Sequence, residues 1–443
     1  MTVQNQHRTV IIGGGFGGLT TAKHLNKTNT HVTLIDRRNF HLFQPLLYQV
    51  ATGALSPANI AAPLRAVLKR QKNTEVLLGE VRAIDPASKT LQLDDETIPY
   101  DTLVVATGVA PQYFGNTSWE AHAPSLKTIE EATAIRAQVL SAFEVAEREI
   151  GKRDIQPYLT FVVIGAGPTG VELAGALAEI SQHTLQNNFR RIDPANARII
   201  LIEAGPRVLP SFPESLSEYA KQDLIKMGVD VQVNTKVLDI RENEVIVQTP
   251  QGEESITTET VLWAAGVKVN GLGKQLAEVT DAPVDRMGRL IVEPDLSLPN
   301  MPDIYVIGDL AHFEHGEEAP LPGLAPVAIQ QAHYVAKAIH AKLNGTPHSE
   351  PFKYFDKGTM ATIGRASAVV NTRWFKLTGF FGWLTWLFIH LMYIVEFEAR
   401  TLVLWQWAWN YLTRNRAARL ITGENRVENQ PAQIVQEAEG MFL

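Results

Sequence analysis

The chain has 443 residues, of which 45% are hydrophobic and 20% are charged, and its formal net charge is −7. This length fits two or three folded domains, and the composition argues against disorder. The weakly acidic balance predicts no nucleic-acid partner. Cysteine is absent, which excludes disulfides, thiolate catalysis, cysteine-ligated zinc and iron–sulfur clusters.

The beginning of the sequence lacks the pattern of an export signal. Residues 1–9 are polar, and the apolar run Val10–Ile12 is too short for a signal-peptide core. We therefore expect the first domain to start almost at residue 1 and the protein to stay on the cytoplasmic side.

Residues 8–36 read as a strand, a glycine turn, a helix and a second strand that ends in Asp36. The turn contains Gly13, Gly15, Phe16, Gly17 and Gly18. Glycines permit a tight turn and let the backbone approach a pyrophosphate, and the helix N-terminus offers free N–H groups to the phosphates. An acid at the end of the second strand can accept hydrogen bonds from a ribose. This unit predicts a dinucleotide site.

The same unit occurs a second time between residues 159 and 203. Its turn contains Gly165, Gly167, Pro168, Thr169 and Gly170, and its second strand ends in Glu203. Two glycine turns predict two dinucleotides, of which one is the redox cofactor and the other its electron source or sink. Glu203 stands where a 2′-phosphate would meet like charge, so we expect NADH to be preferred over NADPH.

Further apolar strands end in small residues. One ends in Ala106, Thr107 and Gly108, and another ends in Gly308 and Asp309, whose carboxylate can bind a cofactor hydroxyl. A third, ending in Ala265 and Gly266, is the matching strand of the second unit. His312 and His315 lie near several glutamates, but we interpret this segment as a solvated loop and expect no metal site.

The C-terminal region is rich in aromatic residues. Residues 377–395 carry no formal charge, and five of the eight tryptophans fall within residues 383–409. Three interpretations are open: a helix in the membrane interface, a buried dimer interface, or a membrane-spanning helix. The density of tryptophan, followed by Arg414, Arg416 and Arg419, favours an interfacial anchor with the arginines attracted to anionic lipid. An anchor and a dimer interface are compatible.

The two glycine turns, the strand ends described above and the segments Phe40–Tyr48 and Gly323–Gln330 resemble the motifs of the type II NADH dehydrogenases. These are single-subunit, non-pumping NADH:quinone oxidoreductases of the pyridine nucleotide-disulfide oxidoreductase-like superfamily. The resemblance covers residues 8 to about 420. It implies an α/β fold with two Rossmann-like domains, the NADH domain being inserted into the FAD domain, and a C-terminal helical membrane-associating region. The expected bounds are 1–120 and 286–370 for the FAD domain, 121–157 for a connecting helix, 158–285 for the NADH domain, 371–422 for an amphipathic anchor and 423–443 for a flexible tail.

The resemblance also implies site residues. For FAD these are Gly13, Gly15, Phe16, Gly17, Gly18, Asp36, Arg37, Gln44, Val81, Ala106, Thr107, Gly108, Gly308, Asp309, Ala328 and Lys376. For NADH they are Gly165, Gly167, Pro168, Thr169, Gly170, Glu203, Ala265 and Gly266. For the quinone they are Pro45, Ala325, Gln330 and Gln331, and the catalytic candidates are Glu172 and Gln330.

Alternatives remain for several of these residues. The family commonly has Ala-Gln-x-Ala-x-Gln beside the flavin, whereas here Pro326 replaces the first glutamine. Gln330 and Gln331 could instead cap a helix, and Glu172 could serve the dipole of the helix that it begins. The resemblance places Glu172 near the nicotinamide, where it would influence electron or proton transfer.

The function implied is a respiratory enzyme that transfers a hydride from NADH to FAD and two electrons to a lipid quinone (ubiquinone, menaquinone or plastoquinone). It would be a homodimer, peripheral on the cytoplasmic face of the cell membrane. The lack of cysteine argues against the related disulfide reductases and sulfide:quinone oxidoreductases. Two other functions remain open: a soluble FAD-dependent NAD(P)H reductase of a small redox protein, and an FAD-binding scaffold.

Overall fold

The computed structural model describes residues 6–316, 319–346, 348 and 350–422, so the predicted tail, residues 423–443, lies outside the described residues. The helices are α1 (Phe16–His24), α2 (Leu47–Ala51), α3 (Pro57–Ile60), α4 (Leu64–Leu68), α5 (Ile129–Glu149), α6 (Pro168–Glu179), α7 (Glu214–Lys226), α8 (Gly271–Thr280), α9 (Ala325–Leu343), α10 (Gly379–Tyr393) and α11 (Phe397–Thr413). The strands up to the start of the second unit are β1 (His7–Ile12), β2 (Thr30–Asp36), β3 (Phe40–Leu42), β4 (Ala61–Pro63), β5 (Thr74–Leu78), β6 (Ala83–Asp85), β7 (Thr90–Gln92), β8 (Thr97–Pro99), β9 (Thr102–Val105) and β10 (Val109–Pro111). The later strands are β11 (Thr160–Ile164), β12 (Arg198–Ile202), β13 (Val229–Gln232), β14 (Lys236–Ile240), β15 (Glu244–Thr249), β16 (Gly252–Thr257), β17 (Thr260–Trp263), β18 (Val267–Val269), β19 (Leu290–Ile291), β20 (Ser297–Leu298), β21 (Met301–Val306), β22 (Ala311–His312), β23 (Thr359–Gly364), β24 (Ser367–Asn371) and β25 (Lys376–Thr378).

The first sheet has the strand order β20-β21-β9-β1-β2-β5 and is parallel except at β20. In its central strands, residues 9–12 of β1 and all of β9 are buried β-branched or aliphatic residues, as in a parallel sheet covered on both faces. β21 pairs with β9, with Ile304 opposite Leu103. The chain therefore leaves this sheet after β9 and rejoins it almost two hundred residues later.

The second sheet is parallel and has the order β13-β12-β11-β17. All five residues of β11 are buried. A two-stranded antiparallel link, β10 with β18, joins the two units, with Val109 opposite Val269. Since both sheets carry a glycine turn after their central strand, the predicted fold of two dinucleotide-binding units is confirmed.

The C-terminal region consists of the antiparallel sheet β23-β24-β25 followed by α10 and α11. α10 packs on β24, while β23 packs on α6 of the second unit. α10 buries only Gly382 and Trp386, and α11 buries only Val403 and Trp407. Within the described residues, no helix is long and apolar enough to cross a membrane. At 15 residues, α10 is about 22 Å long, shorter than a hydrocarbon core.

The chain after α11 turns back into the protein, and we call residues 414–422 the C-terminal segment. Ala418 N–H donates to the Gly53 carbonyl at 3.1 Å, and Arg136 donates to Thr422 Oγ1 at 3.1 Å. Arg416 is buried and pairs with Glu179 of α6 at 2.7 Å. Arg419 donates to the Thr184 carbonyl at 3.3 Å. The expectation that Arg416 and Arg419 face anionic lipid is therefore wrong, because both side chains bond to the protein.

Candidate active site

The first glycine turn connects β1 to the N-terminus of α1. Gly13 has φ +102°, and a Cβ there would lie 2.4 Å from the Ala106 carbonyl oxygen, so a larger residue cannot occupy the position. A Cβ on Gly18 would lie 1.8 Å from the Gly13 oxygen, which keeps helix and strand in close contact. A Cβ on Gly15 would meet open space. The turn therefore leaves the room beside Gly15 that a pyrophosphate needs, and it fits FAD.

Asp36 lies at the end of β2, where it faces this turn. One carboxylate oxygen accepts the Gly14 N–H at 2.5 Å and the other accepts the Arg38 N–H at 2.7 Å. Arg37 is exposed. The Asp36 carboxylate is thus fixed next to the first glycine turn, where it can accept a hydrogen bond from a ribose hydroxyl.

The second turn repeats this geometry between β11 and α6. Gly165 has φ +98°, a Cβ on Gly170 would lie 1.8 Å from the Gly165 oxygen, and a Cβ on Gly167 would meet nothing within 4 Å. Glu203 accepts the Ala166 N–H at 2.8 Å and the Gly205 N–H at 2.8 Å. Pro168 occupies the first turn of α6, where its missing N–H costs nothing.

Ala265 and Gly266 complete this second turn. A Cβ on Gly165 would lie 2.8 Å from the Ala265 Cβ. Gly266 has φ +70°, and the Phe114 ring covers it, since a Cβ there would lie 2.8 Å from Phe114 Cζ. The predicted NADH residues therefore gather at the carboxyl ends of β11, β12 and β17.

The strand ends of the first sheet lie beside the first turn. Asn270 donates to the Thr107 hydroxyl at 3.0 Å and to the Gly108 carbonyl at 3.0 Å, so a side chain of the inserted unit holds this loop. Burial raises the pKa of Asp309, while the charges of Lys127 and Arg289 oppose that shift. Asn270 was not among the predicted residues, and no signal in its immediate sequence marks it.

Gln331 has a role that the sequence did not suggest. It is buried, and its side-chain oxygen accepts the Gly308 N–H at 2.7 Å. Gln330 exchanges two hydrogen bonds of 3.0 Å with the backbone of Phe355. Neither glutamine caps α9, whose N-cap residue Leu324 makes no side-chain cap. The capping alternative is therefore wrong for both.

The remaining predicted residues are more scattered. Gln44 donates to the Lys127 carbonyl at 3.1 Å, and Val81 is buried in the core around the first sheet. Ala328 lies against Gly308: its Cβ is 3.4 Å from the point that a Cβ on Gly308 would occupy. Lys376 is exposed on β25 and pairs with Asn371 in the C-terminal sheet.

His41, in the Phe40–Tyr48 motif, is buried beneath the first turn. Its Nδ1 donates to the Gly14 carbonyl at 2.9 Å, and Phe16 packs on its ring at 5.0 Å. Burial lowers the pKa of His41, so the ring is neutral. Sequence reasoning singled out the motif but not the contact of this histidine with the glycine turn.

Glu172 lines a cavity of about 750 Å³ between α6, α10 and α11, which we call the α6 cavity. Burial raises the pKa of the Glu172 carboxyl well above its usual value. Tyr48 of α2 lines the same cavity, and burial together with the charge of Glu172 raises the pKa of its hydroxyl. A carboxyl whose pKa burial raises, close to a dinucleotide turn, is a candidate functional residue.

His312 differs from its expected place in a solvated loop. It is buried on β22, and its Nδ1 bonds the Asp285 carboxylate at 2.9 Å. Arg289 pairs with the same carboxylate at 2.7 Å. Burial alone would raise the pKa of Asp285, but its hydrogen bonds with His312 and Arg289 and the charge of Arg289 lower it. Among the described residues, no group of histidines and acids could hold a metal ion.

Comparison with known proteins places this geometry in a family. Residues 7–332 match the pyridine nucleotide-disulphide oxidoreductase family. The chain is 44% identical over 447 residues to the type II NADH:quinone oxidoreductase Ndh of Mycobacterium tuberculosis, covering 98% of this chain and 95% of that protein. It is 32% identical over 373 residues to the type II NADH:quinone oxidoreductase of Staphylococcus haemolyticus, covering 83% and 90%.

A solved structure shows the same fold. NDH2 from Plasmodium falciparum, determined in complex with NADH, superposes with a TM-score of 0.83 at 20% identity, covering 95% of this chain and 100% of that one. At this identity the likeness concerns the fold, while the curated relatives establish the family. The chain belongs to the type II NADH:quinone oxidoreductases, a family of FAD-dependent oxidoreductases that use NADH.

Proposed function

We propose that the protein oxidises NADH and reduces a lipid quinone at the membrane surface, without pumping protons. Bound FAD supplies the redox chemistry, because a flavin accepts a hydride and passes on two electrons. The chain's own residues bind both dinucleotides, orient them and exclude water. The proposal rests on one observation: a single chain contains both two glycine turns and an exposed aromatic surface.

The exposed surface is formed by α10, α11 and the hairpin before them, and we call it the aromatic surface. Its most exposed members include Trp374 (69%), Phe381 (69%), Phe388 (61%), Phe397 (81%), Trp405 (72%) and Leu412 (77%). Contiguous apolar area of this kind marks a membrane or protein partner. Tryptophan and phenylalanine on short helices suit the interface of a bilayer, where the quinone is dissolved. This surface disfavours a soluble reductase of a small redox protein.

We place the pyrophosphate of NADH at Gly165–Gly170 and its adenosine ribose at Glu203. Glu203 already accepts two backbone N–H groups, so its carboxylate is fixed where a 2′-phosphate would be repelled. We therefore expect NADH to be the preferred nucleotide. Glu172 is the fifth residue of α6, past its first turn, and we place its carboxyl beside the nicotinamide.

For the quinone we propose the region of Pro45, Ala325, Gln330 and Gln331. Gln331 supports Gly308 of the FAD site, because its side-chain oxygen accepts the Gly308 N–H at 2.7 Å, so we assign it a role in positioning the cofactor. Pro326 replaces the family's first glutamine and donates no hydrogen bond. Contact with a quinone carbonyl there falls to Gln330, whose amide now bonds the backbone of Phe355.

We also propose that the protein works as a homodimer on the cytoplasmic face of the membrane. NADH is a cytoplasmic solute, so the catalytic units belong on that side. A dimer would present the aromatic surface to the membrane twice.

The test changes three exposed side chains of the aromatic surface at once, in the variant Phe381→Gln, Phe388→Gln and Trp405→Gln. Loss of three such groups costs on the order of 3 kcal/mol, or about a hundredfold in membrane binding. We expect the variant to leave vesicles, to keep FAD, and to reduce a short-tailed quinone far better than a long-tailed one. Leu78→Gln, at a residue 63% exposed outside this surface, is the control.

Turnover with NADH and each of the three quinone classes completes the assay. A wild-type enzyme that oxidises NADH but reduces no quinone refutes the proposed activity. A triple variant that stays on vesicles and uses long-tailed quinone normally shows instead that the aromatic surface is buried between subunits.

A further inference from the structure

Phe114 is an exposed aromatic residue beside the second glycine turn. Its side chain is 60% exposed. Among the described residues, the other exposed phenylalanines and tryptophans lie on the aromatic surface or, in the case of Phe355, against Trp374 of that surface. A single exposed apolar side chain is ordinary in folded proteins, but the backbone of Phe114 is not.

The backbone of Phe114 lies in the left-handed region. Its φ is +51°, and Gly115 follows with φ +92°. A bulky residue in this region is strained, because its Cβ crowds the neighbouring backbone. Strain of this kind persists only where the surroundings impose it, and it concentrates at ligand sites. Packing in a core does not explain it here, since the ring is exposed.

The segment before Phe114 is anchored to the end of β17. The Gln112 N–H donates to the Gly266 carbonyl at 3.3 Å, and Trp263 Nε1 donates to the Gln112 carbonyl at 3.0 Å. The buried ring of Tyr113 packs on the Trp263 ring, with 4.9 Å between the ring centroids. These contacts hold the backbone that carries Phe114 in place.

The tip of the Phe114 ring points at Gly266. A Cβ on Gly266 would lie 2.8 Å from Phe114 Cζ and 3.4 Å from both Cε atoms, so a larger residue at position 266 would displace the ring. The left-handed backbone of Phe114 and the missing side chain at Gly266 together place an exposed aromatic ring at the carboxyl end of β17.

This end of β17 lies on the side of the second sheet that is away from Glu203. The strand order is β13-β12-β11-β17, the glycine turn follows β11, and Glu203 directly follows β12. A dinucleotide with its pyrophosphate at the turn and its adenosine ribose at Glu203 therefore extends its other half toward β17. In NADH that half carries the nicotinamide.

We propose that the exposed ring of Phe114 contacts the nicotinamide ring of NADH and holds it against the end of β17. This inference rests on the proposed function and deepens it, because it assigns the subsite of the nicotinamide. An aromatic ring offers a planar ligand a large apolar contact. Since the protein already holds the Phe114 backbone, little further ordering is needed when the nucleotide binds.

The first test measures binding without turnover, by calorimetry on the oxidised enzyme with its FAD bound. The two ligands are NAD⁺ and ADP-ribose, which has the same adenosine, pyrophosphate and second ribose but lacks the nicotinamide. In Phe114→Asn we expect Kd for NAD⁺ to rise about tenfold and Kd for ADP-ribose to stay within about twofold. Phe114→His keeps a planar ring on a residue that tolerates the left-handed region, and should weaken NAD⁺ by no more than about threefold.

The second test measures thermal unfolding of the same variants. Asparagine adopts the left-handed region more readily than phenylalanine does, so Phe114→Asn should unfold at the wild-type temperature or above it. Lys27→Asn is the matched control, since Lys27 is also exposed and left-handed, with φ +63°, but lies in the first unit. It should leave both dissociation constants unchanged.

Equal weakening of NAD⁺ and ADP-ribose in Phe114→Asn, with a lower unfolding temperature, would show that the ring supports the fold and would overturn the inference. Unchanged binding of both ligands would also overturn it, while leaving the proposed function intact. A wild-type enzyme that binds neither ligand would refute the proposed NADH site, and the contact of Phe114 with it.

Discussion

The surroundings of Arg416 in the C-terminal segment can be tested directly, because the sequence predicts a lipid-facing side chain and the structure shows a buried one. The side chain is 9% exposed, its partner Glu179 is 22% exposed, and the two are 2.7 Å apart. Arg416 also donates to the Thr52 carbonyl at 3.2 Å. One arginine therefore joins the segment after the aromatic surface to both dinucleotide-binding units.

Replacement of Arg416 by methionine leaves Glu179 unpaired in a partly buried site. Loss of one partner of a fully buried pair costs about 3–5 kcal/mol. Because Glu179 borders the α6 cavity and keeps the bond from the Arg365 N–H, we expect about 2 kcal/mol. The double variant Arg416→Met, Glu179→Leu should recover part of this loss, since no charge is then left unpaired.

Tryptophan fluorescence during urea unfolding suits this measurement, because five of the eight tryptophans lie within residues 383–409. Arg414→Met is the matched control: Arg414 is exposed, and its removal should change stability by less than about 0.5 kcal/mol. Binding to anionic vesicles should lose salt dependence in Arg414→Met and keep it in Arg416→Met. Unchanged stability of Arg416→Met together with reduced salt dependence would refute the buried pair and restore a lipid-facing arginine.

Two further predictions follow from the turns and from α10. Gly167→Ala should fold normally and raise KM for NADH, because the new Cβ meets nothing in the protein but enters the space of the phosphates. Gly170→Ala should destabilise the second unit, because its Cβ would lie 1.8 Å from the Gly165 oxygen. Thermal unfolding and NADH kinetics check both, and normal NADH kinetics in Gly167→Ala would contradict the phosphate assignment. Burial lowers the pKa of His390 to about 4, so its ring is neutral at pH 7. Since the unfolded chain binds the proton more readily, stability should fall as pH drops from about 6.5 to 4, and His390→Phe should flatten this slope. An unchanged slope in that variant would count against a buried neutral ring.

The local parts of the site could be predicted from the sequence. The strand before Gly13 ends in the β-branched run Thr9–Ile12, and in the strand before Gly165 every residue except Phe161 is β-branched. A glycine turn after such a strand has few alternative geometries. Asp36 and Glu203 were predicted for the same reason, because the end of a neighbouring parallel strand lies beside the turn. The structure adds that each carboxylate bonds the backbone of its turn.

Contacts between distant segments could not be predicted. Asn270 bonds Thr107 and Gly108 in the loop after β9, which lie 163 and 162 positions away in the sequence. Arg416 bonds Glu179, which lies 237 positions away. Nothing local distinguishes Arg416 from Arg414, although one is buried and the other exposed. His312 was misjudged for the same reason, since its partner Asp285 lies on another segment.

The two acids illustrate how one local design serves two roles. In both units the carboxylate at the end of the second strand accepts backbone N–H groups, Gly14 and Arg38 in the first and Ala166 and Gly205 in the second. Each carboxylate is therefore oriented by the protein before a ribose arrives, which reduces the ordering cost of binding. The difference between cofactor and substrate must then arise elsewhere. Both turns are closed by the end of a distant strand, since Ala106 lies against Gly13 and Ala265 lies against Gly165. The first unit adds Gly308, which Gln331 holds through the 2.7 Å bond. We expect this additional loop to enclose the first dinucleotide more fully, as suits a resident cofactor.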